Sequence, residues 1–388
     1  MRHRDRVHQA LSREAPDRCP MQVSFTPEFA ERLRGDLVER GMLGDGGVVL
    51  NRDDARAGAH NPHGGGNTHE LERALGEDIL LTSVGWANGY YQEGDEYVDE
   101  WGVTWRSQPY ATRFGNGRYT EMVGHPLADD AAIASYAPPD PQRDELYVDA
   151  ATTIRTFGDE YFIVGATVTT IWETAWALRG YERLLVDMVT EPELTDAILE
   201  FPFQYHMAAA ERLAHLGVDM LWTGDDIGSQ RGMLFSPATW RRFYKPRMAE
   251  LISRVKAINP SIRVAYHTDG DVRAVLPELI EIGIDVLNPV QPACMDPAWI
   301  KREYGDRLMF WGSVDEQHTL PFGTPDDVRS EIRLRLDTIG HGGERAVAAV
   351  ADPDGVNGGA VGGFDVELPV ADHPRVGWGN AEAFAGDK

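Results

Sequence analysis

Residues 262–291 read IRVAYHTDGDVRAVLPELIEIGIDVLNPVQ and contain one complete strand–helix–strand unit. The run at 262–267, rich in apolar and aromatic residues, predicts a buried strand, and the run at 286–289 predicts another. Between them, the helical pattern over 274–282 predicts a helix. Strands connected through a helix pair in parallel, so this stretch predicts an α/β fold with a parallel sheet.

The same alternation continues in both directions along the chain. Further candidate strands lie at 20–24, 78–82, 161–166, 219–223, 308–312 and 346–351. Further candidate helices lie at 4–12, 68–75, 181–188, 193–216, 237–258 and 325–339. Such a series of strand–helix units in one chain favours a (β/α)₈ TIM barrel in a single domain over an open doubly wound sheet.

Two segments do not follow this alternation of strands and helices. Residues 90–118 alternate aromatic and charged side chains, which predicts a hairpin excursion from the N-terminal half of the barrel. Residues 351–388 are rich in Gly, Ala, Val, Asp and Pro and have little helical periodicity. We therefore predict a barrel domain over 1–350 and a divergent or disordered tail over 351–388.

The composition restricts the classes of function. The chain has 388 residues, with 37 Lys and Arg against 62 Asp and Glu, and a formal net charge of −25. Such a surface repels phosphate backbones and anionic lipids, so we expect neither nucleic acid nor a membrane as a partner. Two cysteines, Cys19 and Cys294, exclude a disulfide framework and a four-cysteine zinc module. A polar N-terminus and the lack of a long apolar run predict a cytoplasmic protein.

Polar side chains cluster where the predicted strands end. In a TIM barrel these carboxyl ends converge on one mouth, where the chemistry takes place. Capping alone also enriches strand-to-helix turns in Asp, Gly and Ser, so a structural explanation stays open. The polar or aromatic residues at these ends are Trp172, Glu173, Asp225, Asp226, His267, Asp269, Asn288, Gln291 and Asp315.

His267 and Asp269 are the most specific pair. Because they lie two residues apart, they would point to the same side of a continuing strand. An imidazole and a carboxylate could supply two ligands of a Zn²⁺ site, although a strand-end His held by a neighbouring carboxylate fits the spacing equally well. Asp225 and Asp226 could ligate a metal, act as acid–base groups, bind pyrrole N–H groups or cap the following turn.

Two other polar features give weaker signals. Asp271 suits the N-cap of a helix that begins near Arg273. His60, His63 and His69 are closely spaced in a polar loop, where metal binding is a minor alternative.

Several motifs in combination resemble the uroporphyrinogen decarboxylase superfamily, over residues 4–345. They are RV at 6–7, EAPDRCP at 14–20, GDDIG at 224–228, SP at 236–237, FYKP at 243–246, HTDGDV at 267–272, GIDVLNPVQ at 283–291 and WGSVD at 311–315. The resemblance implies a (β/α)₈ barrel with its site at the C-terminal mouth. It also implies one of two activities: metal-free decarboxylation, or zinc-dependent methyl transfer between a corrinoid protein and a thiol or other acceptor.

The decarboxylase branch implies residues that this chain lacks. That enzyme binds a substrate with eight carboxylates, and its N-terminal motif after the first strand is rich in Arg. The corresponding segment here is SFTPEF at 24–29, with no Arg before Arg32. The active-site Tyr and Ser of the decarboxylase would align near Glu173 and Asp225, so acids replace both and would repel the substrate.

The methyltransferase branch implies a His-x-Cys pair after the fifth strand and a further Cys near the C-terminus. The His position matches His267, but Asp269 stands at the Cys position, and no cysteine follows Cys294. A zinc site would therefore need oxygen ligands such as Asp269, with Glu173 or Asp225 as further donors.

We therefore expect a metal-assisted methyltransferase that acts with a corrinoid protein or a thiol acceptor. The alternatives are uroporphyrinogen decarboxylase of tetrapyrrole biosynthesis and a non-catalytic barrel that binds a tetrapyrrole or corrinoid. The expected cofactor is Zn²⁺, with a corrinoid on a partner protein, and the barrel could form a homodimer. Assigned site residues are Asp225, Asp226, Glu173 and Asp269 as catalytic groups, Trp172, Asn288, Gln291 and Asp315 for cofactor binding, and His267 and Asp269 as metal ligands.

Overall fold

A computed structural model describes residues 1–24, 27–44, 69–84, 96–112 and 115–340 of the chain. The strands within them are β1 (Ile79–Ser83), β2 (Glu96–Val98), β3 (Thr104–Thr112), β4 (Gly115–Gly124), β5 (Phe162–Val168), β6 (Met220–Gly224), β7 (Gly228–Ser229), β8 (Gly232–Met233), β9 (Arg263–His267), β10 (Val286–Asn288) and β11 (Met309–Phe310). Six of them form one parallel sheet in the order β1-β5-β6-β9-β10-β11. The predicted α/β architecture with a parallel sheet is confirmed.

Helices follow the strands of this sheet, as parallel pairing requires. None of the described helices is both long enough and apolar enough to cross a membrane. The helices are α1 (His3–Leu11), α2 (Pro27–Glu39), α3 (Glu70–Leu75), α4 (Asp130–Ile133), α5 (Val148–Phe157), α6 (Trp172–Arg179), α7 (Tyr181–Thr190), α8 (Pro192–Leu216), α9 (Pro237–Phe243), α10 (Lys245–Ile258), α11 (Leu276–Glu281), α12 (Pro297–Tyr304), α13 (Thr319–Phe322) and α14 (Pro325–Ile339).

The core has two layers because successive strand residues face opposite sides of the sheet. One set, which includes Trp222 and Trp311, packs into an inner cluster together with Val7 and Leu11 of α1. The alternate set, which includes Leu221, packs against the surrounding helices. Helix α1 therefore contributes to the inner core as well as to the surface.

Asp78, directly before β1, anchors the N-terminal segment to the sheet. Its side chain is fully buried and lies 2.6 Å from Arg6 and 2.5 Å from Arg18. It also pairs with His3 at 2.8 Å and accepts the backbone N–H of Met21 at 2.8 Å. Burial by itself would raise the pKa of Asp78, but these partners together lower it below the ordinary value.

Two predicted elements were wrong, and two further predictions lie outside the described residues. Residues 20–24 contribute a single bridge residue, Met21, because the Asp78 carboxylate takes the N–H that a strand neighbour would bind. The helix predicted over 237–258 is two helices, α9 and α10, since Pro246 has no N–H for an i→i−4 bond. The strand predicted at 346–351 and the tail at 351–388 lie outside the described residues.

The predicted excursion is the antiparallel sheet of β2, β3 and β4. Its first turn is held by Asp99, which accepts the backbone N–H groups of Trp101 and Val103, both at 2.9 Å. The same carboxylate accepts the indole N–H of Trp105 at 2.8 Å. Three donors on one buried acid therefore fix this turn and the Trp105 ring.

Glu77, the neighbour of Asp78, leads to a pH-dependent prediction. It is fully buried, and within the described chain its Oε1 has no hydrogen-bond partner, while Oε2 accepts Val23 N–H at 3.1 Å. Burial, with Glu72 and Asp78 nearby, holds its pKa well above the ordinary value. Folding therefore favours protonated Glu77, and this acid costs stability as pH rises above its unfolded-state pKa.

We expect Glu77→Gln to raise the free energy of unfolding at pH 8 by about 1–3 kcal/mol, because it removes the cost of a buried, poorly satisfied charge. The gain should shrink towards pH 5. Urea unfolding at both pH values measures it, with the exposed Glu182→Gln as a control that should show no such trend. A gain that is equal at both pH values would contradict the assignment to Glu77 ionisation.

Candidate metal and acid–base site

The carboxyl ends of three adjacent strands place the predicted polar residues together. In the register of the sheet, His267 at the end of β9 lies beside Gly224 of β6 on one side and Asn288 of β10 on the other. A Cβ at Gly224 would lie 2.3 Å from the carbonyl oxygen of His267, and its φ is +122°. Only glycine suits this close approach, after which the chain turns to present Asp225 and Asp226.

Asp226, His267 and Asp269 are the group of His and Asp side chains among the described residues that could together hold a metal ion, and we call this group the metal-ligating cluster. Their ligand atoms all lie within 4.8 Å of one another. Asp226 Oδ1 is 3.6 Å from His267 Nε2 and accepts the backbone N–H of Asp269 at 2.7 Å. One imidazole and two carboxylates is a donor set that suits Zn²⁺ or a harder divalent ion.

The orientation of His267 is fixed by Asn288. The Asn288 Nδ2 group donates to the Trp311 carbonyl at 2.9 Å, so its Oδ1 must face the imidazole. His267 Nδ1 lies 2.8 Å from that oxygen and therefore carries the proton. The lone pair of Nε2 then points toward the carboxylates, the arrangement by which outer hydrogen bonds prepare a His for metal binding.

The carboxylates change how the site titrates. Burial would lower the pKa of His267, but Asp226, Asp269 and the Asn288 hydrogen bond together raise it. Burial, helped by Asp226, raises the pKa of Asp269 to about 7. His267 and Asp269 therefore both bind their protons more tightly than the free side chains do.

Asp225 is not a member of this cluster, although its neighbour Asp226 is. It is 1% exposed, and its oxygens accept the backbone N–H groups of Ile171 at 2.9 and 3.0 Å and of Glu173 at 3.1 Å. These N–H groups stand at the start of α6, so Asp225 serves that helix as an N-terminal acceptor. Burial raises its pKa to about 7 despite these bonds.

Glu173, in the first turn of α6, connects that helix to the cluster. Its Oε2 accepts the backbone N–H of Asp226 at 3.2 Å, which orients the loop carrying that ligand. Burial, followed by repulsion from Asp226 and Asp225, holds the pKa of Glu173 well above its ordinary value. A raised pKa of this kind makes Glu173 a candidate acid–base group beside the cluster.

The remaining assigned residues lie around this centre without joining it. Gln291 Oε1 accepts Gly270 N–H at 2.7 Å and fixes the turn after Asp269. Asp315 accepts the N–H groups of Gln317 and His318, at 2.8 and 3.0 Å, and caps its own turn. Trp172 is 1% exposed, and its ring packs on the rings of Tyr181, Phe235 and Tyr244. Cofactor binding by these residues stays a prediction.

The structure also tests the predictions for Asp271 and for the loop histidine His69. Asp271 was wrongly predicted to cap a helix near Arg273: α11 begins at Leu276, and Asp271 instead accepts Arg273 N–H at 3.1 Å within a turn. His69 is buried beside Thr153 and is not in the metal-ligating cluster of the described residues, whereas His60 and His63 lie outside those residues.

Sequence reasoning missed two residues that act on the site. Thr170 Oγ1 lies 2.8 Å from Thr223 Oγ1 and accepts Gly224 N–H at 3.0 Å, so it joins β5 to β6 beneath the cluster. Glu316 raises the pKa of both His267 and Asp269 by its charge. The available signal for Glu316 was its place immediately after WGSVD at a strand end.

Asn288→Ala should weaken metal binding by about 10–100-fold, because the imidazole loses the acceptor that orients it. A competition titration with a chromophoric zinc chelator measures the change. Asn259→Ala, which removes an amide that bonds Ser261 far from the cluster, is the matched control and should bind as the unaltered protein does. Equal affinity of the two variants would contradict the role of Asn288.

Comparisons with known proteins agree with this architecture. A family model described as Uroporphyrinogen decarboxylase (URO-D) matches residues 112–349. A methylcobamide:CoM methyltransferase, MtaA, of Methanosarcina barkeri is 25% identical over 149 residues, 38% of this chain and 42% of that protein. A uroporphyrinogen decarboxylase of Salinibacter ruber (strain DSM 13855 / M31) is 28% identical over 146 residues, 38% of this chain and 36% of that protein. The matched part is thus about two fifths of each relative's length.

A solved structure confirms the fold. A methyltransferase from Methanosarcina mazei superposes with a TM-score of 0.62 at 18% identity, over 90% of this chain and 93% of that one. The similarity extends beyond the segment matched by the family model, so the predicted single-domain barrel architecture is confirmed.

Proposed function

The chain belongs to the uroporphyrinogen decarboxylase family, and from that membership we propose that it is a metal-assisted methyltransferase acting between a corrinoid and a thiol or similar acceptor. The named relatives are a methyltransferase and a decarboxylase, which supports an enzyme in general. The choice between these activities depends on the charge of the site.

The observation that supports the proposal is the excess of carboxyl groups over basic groups at the carboxyl ends of the strands. The charge of Asp226 raises the pKa values of Glu173, Asp225 and Asp269, and His267 is the basic group among these acids. No Lys or Arg in the described segments forms an ion pair with these four acids. A buried group of acids without a fixed counter-charge favours a bound cation and repels a polycarboxylate substrate.

His267, Asp226 and Asp269 would hold Zn²⁺, which when bound lowers the pKa of a thiol acceptor. Asn288 keeps the imidazole proton on Nδ1, which leaves Nε2 available. Glu173 holds the backbone at Asp226, and Asp225 holds the start of α6, so each ligand is positioned from a separate strand end. The acids that replace Tyr and Ser in the decarboxylase pattern thus gain roles suited to a cation.

The test combines metal binding with turnover. Protein stripped with a chelator is titrated with Zn²⁺, and transfer from free methylcobalamin to a small thiol is followed by loss of methyl–cobalt absorbance. We expect one zinc per chain and zinc-dependent transfer, both reduced in Asp226→Asn and unchanged in the exposed control Asp306→Asn. Absence of zinc binding, or transfer that does not depend on zinc, would overturn the proposal.

A further inference from the structure

Two buried tryptophans lie in the barrel interior, next to the metal-ligating cluster. Trp222 of β6 and Trp311, which directly follows β11, both belong to the inner core and are 6% and 1% exposed. Trp222 stands two residues before Gly224, the residue that lies beside His267 in the register of the sheet. Because side chains alternate along a strand, Trp222 takes the inward position one layer below His267.

The ring of Trp222 contacts the imidazole of His267. The two ring centroids are 5.6 Å apart, and the planes are nearly perpendicular, at 86°. Aromatic pairs favour this arrangement. Ala265, which pairs with Trp222 in the register between β6 and β9, has a small side chain that leaves space for the indole. His267 therefore has a second contact in addition to its hydrogen bond with Asn288.

Trp311 connects these two contacts. Its ring lies 4.9 Å from the Trp222 ring, centroid to centroid, and its backbone carbonyl accepts the Asn288 amide at 2.9 Å. Asn288 Oδ1 in turn lies 2.8 Å from His267 Nδ1. The contacts thus run from His267 through Asn288, Trp311 and Trp222 back to His267, and they form a closed circuit.

A closed circuit restrains the imidazole more than the Asn288 hydrogen bond does alone. The last side-chain torsion of a histidine is broad, so one bond at Nδ1 still allows the ring to rock. Rocking would move Nε2 away from Asp226 Oδ1, which is 3.6 Å from it. The Trp222 indole carries no charge, so it can limit this motion without competing with the carboxylates for a cation.

We propose that Trp222, supported by Trp311, is a positioning residue that holds the His267 imidazole with Nε2 directed at Asp226. The two indoles would thereby control cation affinity without supplying a ligand atom. The consequence for turnover rests on the proposed function, whereas the restraint of the ring does not depend on a metal.

The test observes the His267 ring by NMR in zinc-free full-length protein that carries isotope-labelled histidine, with His267→Ala to identify its signals. We expect a slowly exchanging Nδ1–H proton in the unaltered protein and in Trp222→Phe, which keeps an aromatic ring. The signal should be lost in Trp222→Leu. Trp240→Leu is the matched control, because Trp240 is also buried but lies in α9, and it should keep the signal.

Zinc affinity of the same variants is measured by competition with a chromophoric chelator. Trp222→Leu should weaken binding about 10-fold, the lower end of the effect of residues that orient a metal ligand. Trp222→Phe and Trp240→Leu should bind zinc as the unaltered protein does. Equal zinc affinity in all variants would overturn the positioning role and leave the proposed function standing.

The ring signals decide the proposal even without zinc. Persistence of the Nδ1–H signal in Trp222→Leu, or its equal loss in Trp240→Leu, overturns the positioning role. If Trp222→Leu does not fold, a nuclear Overhauser signal between the ring protons of His267 and Trp222 in the unaltered protein supports the role, and its absence overturns it. The expected ring signals in a protein that binds no zinc would overturn the proposed function and support the role of Trp222.

Discussion

His267→Ala is expected to lower zinc affinity by more than the roughly 100-fold that loss of an outer hydrogen bond can cost, because it deletes a ligand atom. His267 Nε2 is the nitrogen donor of the cluster, and Asp226 and Asp269 would remain as two oxygen ligands. Plasma mass spectrometry of protein purified with zinc, together with a chelator competition, measures the loss. Zinc should also cease to stabilise the variant, since bound ligand at 100 times its Kd adds about 2.7 kcal/mol to unfolding.

His215→Ala is the matched control for this experiment. His215 is exposed near the end of α8, so its removal should leave both zinc content and zinc stabilisation unchanged. Zinc retention by His267→Ala at the level of this control would contradict the metal site. The comparison also detects nonspecific zinc binding by surface histidines, which would fall in both variants.

Asp78→Ala is expected to lower the free energy of unfolding by about 3–5 kcal/mol, the usual cost of removing one partner from a buried ion pair. The substitution leaves Arg6, which is 8% exposed, without its buried carboxylate. It also removes the carboxylate partner of Arg18 and of the Met21 N–H, so the N-terminal segment loses its polar side-chain contacts with Asp78. Urea unfolding followed by circular dichroism measures the change.

Asp17→Ala supplies the control because Asp17 pairs with the same Arg6 while its side chain is 45% exposed. An exposed partner contributes about 0–1 kcal/mol, so this variant should remain close to the unaltered protein. Because the pKa of Asp78 is lowered in the fold, its contribution is present above the unfolded-state pKa and is lost as the pH falls. A loss of less than 1 kcal/mol for Asp78→Ala would contradict the anchoring role.

The sequence predicted the strands of the sheet well because their apolar runs are local signals. It also predicted that the polar strand-end residues converge, since parallel strands end at one edge, but it named Glu173 or Asp225 as the further metal donor where the structure has Asp226 beside His267 and Asp269. It could not distinguish Asp225 from Asp226, because the turn after Gly224 decides which carboxylate faces α6 and which faces His267. That turn depends on contact with a neighbouring strand and has no local signature.

The other differences between the sequence predictions and the structure come from contacts between residues that are far apart in the chain. The predicted strand at 20–24 is a single bridge because a buried carboxylate some sixty residues away binds its N–H, which no local pattern reveals. The excursion sheet likewise lies against α6, which meets the turn held by Asp99 although the two segments are far apart in the chain. Binary patterning predicts that such an excursion exists, but it gives no information about the surface on which the excursion packs.

The Asn288 amide has a consequence for the edge of the sheet. It ties the His267 ring on β9 to the backbone just beyond β11, a strand of only two residues at the margin of the described sheet. The Asn288 amide therefore couples ligand affinity at His267 to the resistance of β11 to local opening. We therefore expect a ligand on the imidazole to protect β11, the shortest strand of the six-stranded sheet, from local opening, and fraying of β11 to weaken that ligand's binding.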